Sequence, residues 1–253
     1  MKIAAMAAGA LLAVAPAAAG TAQSEPGAGG LVGIIQAVPG ASVSVSIDGR
    51  TVRAEAGAGT VLGPFVLSSG RHRIEFTGAG DVSARTTVQV APGSNQDVVL
   101  HRPAEVGGAA VLHTYTTPME PIGPGKSRVL VAHTATVAPA DVVVDGTVVF
   151  DNIANGEFAT ADVPSGAHVV ELLPTGETEN PILGPLDVEL TPGTVTMVYA
   201  MGNPADDSMD LVVRSADLSP DGSVAPTSID TGSAGLVKDW RLTPFGHGSH
   251  SSR

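Results

Sequence analysis

The sequence predicts an all-β protein built as two tandem antiparallel β-sandwich modules. Three observations predict it. First, one pattern is stated twice, in GIIQAVPGASVSVSIDGRTV (33–52) and in VLVAHTATVAPADVVVDGTVVF (129–150): a β-like run, a turn, a second run, then an Asp-Gly turn. Second, the apolar runs are short, Val-rich and often alternate with polar residues, the period of a half-buried strand. Third, Gly (31) and Pro (19) are frequent enough to supply tight turns throughout, and no long stretch carries a helical period. A small barrel satisfies the same pattern.

Residues 1–22 read as a secretory signal. Lys2 is the positive start, Ile3 to Val14 the apolar stretch, and Pro16 its end, with cleavage expected after Ala19 or Ala22. Residues 23–30 read as a flexible lead. Module one is assigned to 31–117. SVSVSI (42–47) alternates cleanly, and Asp48-Gly49 is a two-residue hairpin signal because both positions tolerate positive φ. After Ser69-Gly70, RHRIEF (71–76) alternates again; TTVQV, Pro92-Gly93, DVVLH and AVLHTY complete the module.

Pro118, Pro121 and Pro124 mark residues 118–126 as a linker, since proline resists strand pairing. Module two is assigned to 127–215, with strands at 128–134, 140–144, 147–151, 157–162, 167–173, 185–190, 194–200 and 209–214. Asp145-Gly146 and Asn155-Gly156 are its hairpin signals. Ser165-Gly166 and Pro192-Gly193 stand where module one has Ser69-Gly70 and Pro92-Gly93, which points to internal duplication. Residues 216–253 read as a polar tail, extended or disordered, in which Trp240 and Phe245 are candidates for docking.

Composition narrows the partners. The formal charge of −12 disfavours nucleic acid and anionic lipid, and the 13 Lys and Arg form no run. The chain has no Cys, so no disulfide staples it and packing alone must hold the modules. Aromatics are 3% of residues, so the cores must be aliphatic. No apolar C-terminal stretch provides a transmembrane anchor once the signal is removed.

Candidate chemistry is sparse. His133 should face inward with Val129 and Val131, where a neutral imidazole bonded to a carboxylate such as Asp141 would pin the first turn. His72 and His168 recur beside a Gly turn, which suits packing or edge capping. His101 and His113 can meet at a module edge, but zinc needs three or four convergent ligands. NPADDSMD places Asp206, Asp207 and Asp210 in one loop. A solvated acidic turn is the plain reading and weak calcium binding the alternative, since EF-hand spacing is missing. No Gly-x-Ser-x-Gly elbow or phosphate loop occurs, so no catalytic or cofactor-binding residue is named and no cofactor is expected.

RVLVAHTATVAPADVVVDGTVVFDNI (128–153) resembles the domain of unknown function 4397, a family of secreted and surface bacterial proteins. His133 stands at the family's His, Asp141 at the Asp opening the next strand, and Asp145-Gly146 at the hairpin. VPSGAHVVEL and ELTPGTVTMVYAMG are similar to the following segments, so the resemblance spans 126–218. It is weaker over 30–117, where Gln36 takes the His place and Ser44 the Asp place. The resemblance implies a β-sandwich-like fold, here immunoglobulin-like, and assigns no biochemical role.

The expected function is that of a non-enzymatic secreted or cell-surface protein, extracellular and associated with the cell envelope, that engages a protein or an envelope polymer. Carbohydrate binding is the alternative, weakened by the shortage of aromatic rings. A hydrolytic enzyme is the least favoured reading.

Overall fold

The computed structural model describes residues 29–218 and 224–233, the latter by backbone alone. The expected signal, most of the expected lead, Trp240 and Phe245 lie outside the described residues. The fold is all-β. Module one contains β1 (Gly30–Gln36), β2 (Val43–Ile47), β3 (Arg50–Ala56), β4 (Val61–Leu67), β5 (Gly70–Thr77), β6 (Ala84–Val90), β7 (Asn95–His101) and β8 (Val111–Thr116). Module two contains β9 (Lys126–His133), β10 (Ala140–Val144), β11 (Thr147–Ile153), β12 (Phe158–Pro164), β13 (Gly166–Pro174), β14 (Leu183–Leu190), β15 (Thr194–Met201) and β16 (Asp210–Leu218). A further strand, β17 (Val224–Ser233), falls in the segment expected as tail and lies antiparallel along β16.

Each module has two sheets. In module one they run β4-β1-β7-β8 and β3-β2-β5-β6; in module two, β12-β9-β15-β16-β17 and β11-β10-β13-β14. Adding eight to each strand number of module one gives the order in module two, with β17 as the single addition. The repeated turn signals therefore reflect one topology used twice. Asp48 and Gly49, like Asp145 and Gly146, have positive φ (50° and 79°, 51° and 75°), so each Asp-Gly pair makes the tight hairpin its residues favour.

Two expectations are corrected. The sheets are not purely antiparallel: β1 pairs parallel with β7, and β9 parallel with β15. After the first strand of each module the chain crosses to the opposite sheet, and the seventh strand returns to lie parallel beside the first. Nor are all strands half-buried, as the alternation predicts, because the two modules share a buried face. Val32, Ile34, Val45, Ile74, Phe76 and Leu100 fill module one; Val131, Ala140, Val142, Leu172 and Ala200 belong to the core of module two. A third cluster joins Ile35, Val99 and Tyr115 to Leu130, Met197, Tyr199 and Val212. The sheets containing β1 and β9 thus pack face to face, and the molecule is a stack of four sheets, outer, inner, inner, outer.

Burial explains the strand sequences. β7 is buried at every residue and β15 at all but one, and their runs NQDVVLH and TVTMVYAM lack the polar alternation of a strand with a wet face. The outer β5 keeps it, and so does β12 at the edge of its inner sheet.

Candidate functional site

The densest chemistry lies between the inner sheets. Asp97 on β7 and Arg214 on β16 are both buried, and Arg214 Nη1 donates to Asp97 Oδ1. Arg214 Nη2 donates to Asn95 Oδ1 at 2.8 Å, and Tyr199 Oη donates to Asp97 Oδ2 at 2.7 Å. One module supplies the acid and the amide, the other the guanidinium and the phenol. Burial and the adjacent Asp97 charge push the Tyr199 hydroxyl well above its ordinary value, so it remains a donor. Two polar atoms, Asn95 Nδ2 and Arg214 Nε, have no partner there.

Gly33 makes this ion pair fit. A Cβ on Gly33 would collide with the Asp97 carboxylate and crowd Arg214 Nη1. The glycine thus serves close approach and not a turn. Asp97, Arg214, Asn95 and Tyr199 were not signalled by the sequence. Polar residues inside otherwise apolar strands were the available clue, but Asp97 and Arg214 are more than a hundred residues apart.

A second polar seam lies along the same interface. His101 Nδ1–H donates to the Arg102 carbonyl (2.8 Å), leaving Nε2 to accept from His113 Nδ1–H at 2.7 Å. The predicted meeting of these two histidines at a module edge is present. Burial lowers His101 to about 4 and also lowers His113 and His133, so all three rings favour the neutral form. Across the seam, Asn155 Nδ2 donates to the Arg102 carbonyl (3.0 Å), and within its own module to the Ala135 carbonyl (2.7 Å). Tyr115 Oη donates to the Gly156 carbonyl at 3.2 Å.

The motif residues of module two are held by different partners than expected. His133 is buried, and its Nε2–H donates to the Ala138 carbonyl (3.3 Å), closing the turn after β9. Asp141 is not its partner. That carboxylate instead accepts from the backbone N–H of Asn152 (2.7 Å) and of Gly176 (2.9 Å), which lowers its pKa and ties two loops to β10. In module one, Gln36 replaces His133 and closes the corresponding turn through Val38 and Ala41. Ser44 Oγ donates weakly to the Arg53 carbonyl at 3.4 Å.

Asp145 is built into a device that occurs twice. His168 Nδ1–H donates to Asp145 Oδ2 (2.7 Å) and Nε2–H to the Pro164 carbonyl (2.9 Å), while Val169 N–H donates to Asp145 Oδ1 (2.9 Å). In module one His72 bonds Asp48 (2.7 Å) and the Ser68 carbonyl (2.8 Å), and Arg73 N–H bonds Asp48 (2.8 Å). Each bracket ties a hairpin turn to the neighbouring strand of the outer sheet. Both ring nitrogens face acceptors, which suits the imidazolium: the aspartate contact raises each His, while His72 and then the Arg73 N–H lower Asp48, and the Val169 N–H and then His168 lower Asp145.

In the acidic loop, Asp206 Oδ1 accepts from Ser208 N–H at 3.2 Å and from the Ser208 hydroxyl at 2.5 Å. Asp207 has a left-handed backbone (φ 55°), and Asp210 Oδ1 accepts from Leu211 N–H at 2.8 Å. Among the described residues no three His, Cys, Asp or Glu converge on a point that could hold a metal ion. No described helix is long and apolar enough to cross a membrane. No curated protein matches the chain. Residues 30–140, from the start of β1 to the start of β10, match the family described as Domain of unknown function (DUF4397), and over that stretch the chain is similar to this family.

Proposed function

We propose that the protein is a non-enzymatic interaction module, secreted and held at the cell envelope, that engages a protein partner by strand addition. Each module is read as an immunoglobulin-like sandwich, a reading supported by its two sheets and its parallel first strand. The observation that carries the functional reading is β17. This segment adds a strand to the edge of an inner sheet through main-chain pairing from Asp210↔Ser233 to Leu218↔Val224. Its counterpart edge in module one, β8, has no strand on its outer side among the described residues. An open strand edge offers main-chain donors and acceptors to an extended peptide.

The carbohydrate alternative has less support. Tyr115 and Tyr199, the tyrosines available for sugar stacking, are both buried, and Phe158 is the exposed aromatic ring among the described residues. The test is photo-crosslinking on living cells from the exposed β8 positions Thr114 and Thr116. A protein adduct at these positions, absent from probes on the outer sheet of module one, is the expected result. Adducts only with polysaccharide, or none at β8, would reject strand addition.

A further inference from the structure

The two modules share a topology, but their outer sheets present different faces. Strand register sets Val143, Val148 and Val169 of module two at the places of Ser46, Thr51 and Arg73 in module one. These positions point away from the cores, which are filled by the neighbouring Val142, Val144 and Val170 in one module and by Val45, Ile47 and Ile74 in the other. A sheet face turned to water normally carries polar residues, and module one follows this. Module two leaves Val148 51% and Val169 41% exposed.

Charge separates the same two faces. The strands of the module-one outer sheet hold five Arg and two Glu. Those of the module-two outer sheet hold five acids and no Lys or Arg. By alternation Arg71, Arg73 and Arg85 lie on the outward face of the first, and Glu171, Asp187 and Glu189 on that of the second. None of these six forms a salt bridge with another described residue. The two faces stand at opposite ends of the four-sheet stack. One molecule therefore carries both halves of a complementary pair and cannot bring them together within itself.

We infer that copies of this chain pair head to tail, the acidic outer sheet of module two in one copy facing the basic outer sheet of module one in the next. The arginine stems cover Val148 and Val169 while their guanidinium groups reach the carboxylates. Two copies meeting through the same face would set acid against acid or base against base, which is repulsive. A contact between unlike faces does not close on two copies, so the stack grows. At about 0.1 M salt the screening length is about 10 Å, close to the spacing of packed sheets. The facing sheets then govern the contact, and the net charge of −12 on each copy is felt weakly. This surface is distinct from the β8 edge, which belongs to an inner sheet.

The test is sedimentation of the full chain over a range of concentrations at about 0.1 M salt. It includes two charge-reversed variants, Arg71→Glu/Arg73→Glu/Arg85→Glu and Glu171→Lys/Asp187→Lys/Glu189→Lys. The mass of the unaltered chain should climb past two copies without saturating. Each variant carries two faces of like charge, so its association alone should weaken at least about tenfold. Mixing the two variants should restore it, which also shows that both are folded. Should either triple variant not fold, Arg71→Glu/Arg73→Glu and Asp187→Lys/Glu189→Lys take their place. A chain that stays at one copy, a mass that saturates at two, or association unchanged by reversal overturns the head-to-tail pairing. So does failure to recover on mixing when both variants are folded. Poly-lysine bound by the module-two face of a chain that stays single overturns self-pairing in favour of a basic partner. A crosslink from the outer sheet of module one should hold a second copy of this chain, and its mass distinguishes it from an adduct formed at β8.

Discussion

Arg214 is the side chain whose loss should cost most. Truncating it leaves Asp97 charged and dry between two sheets, a situation worth about 3–5 kcal/mol of lost stability in comparable buried pairs. Urea unfolding of Arg214→Ala should show a lowered midpoint of that order, and replacing Asp97 and Arg214 together by apolar residues should recover much of it. Gly33→Ala belongs to the same site. Its methyl group is forced against the Asp97 carboxylate, and the expected loss is about 1–3 kcal/mol, as for overpacked cores, read by the same assay. The histidines divide by sign. His72 and His168 are raised by their aspartates. Their contribution is therefore complete below the ordinary histidine value and lost as pH rises through the raised one. Asp48 and Asp145 are lowered, so their share is present above the ordinary carboxylate value and lost as pH falls through the lowered one. His101 works in the opposite sense to His72: buried neutral, it withdraws stability as pH falls from the ordinary value toward about 4. Melting temperature measured against pH should lose part of its alkaline limb in the double variant His72→Ala/His168→Ala, while the limb governed by His101 stays.

Strands of the outer sheets behave as their alternation predicts. RHRIEF buries Ile74 and Phe76 and exposes Arg71 and Arg73. The central inner strands β7 and β15 do not, because a second module covers what would have been their wet face. Their near-continuous apolar runs carried that information, although a run of this kind says only that both faces are dry. Nothing in it names the covering surface. β17 is the element least legible beforehand: VAPTSIDTGS is polar and carries Pro226 and Gly232, and it pairs because β16 offers an edge. A chain ending after residue 218 should expose that edge. Hydrogen exchange of the β16 amides that point toward β17 should then accelerate, and those that point toward β15 should stay protected.

The molecule as a whole should unfold as one unit. A shared core, a buried ion pair and the Asn155–Arg102 and Tyr115–Gly156 bridges link the modules, so calorimetry of the full chain should give a single transition. Weakening the junction through Arg214→Ala should separate it into two. How far this architecture was readable depends on the range of the forces involved. Asp-Gly turns, Val alternation and the repeated Ser-Gly and Pro-Gly signals are local, and they suffice for strands, hairpins and the duplication. The resemblance read from 126–218 and the family match at 30–140 meet only in β9 and its turn, as duplicated modules allow. Meeting Asp97 with Arg214, turning Asp141 toward Asn152 and Gly176, and stacking sheet on sheet depend on contacts between distant residues. Side-chain pattern sets which faces must leave water; only the folded chain selects which surface covers each of them, because desolvation is blind to identity until shapes and charges are brought together.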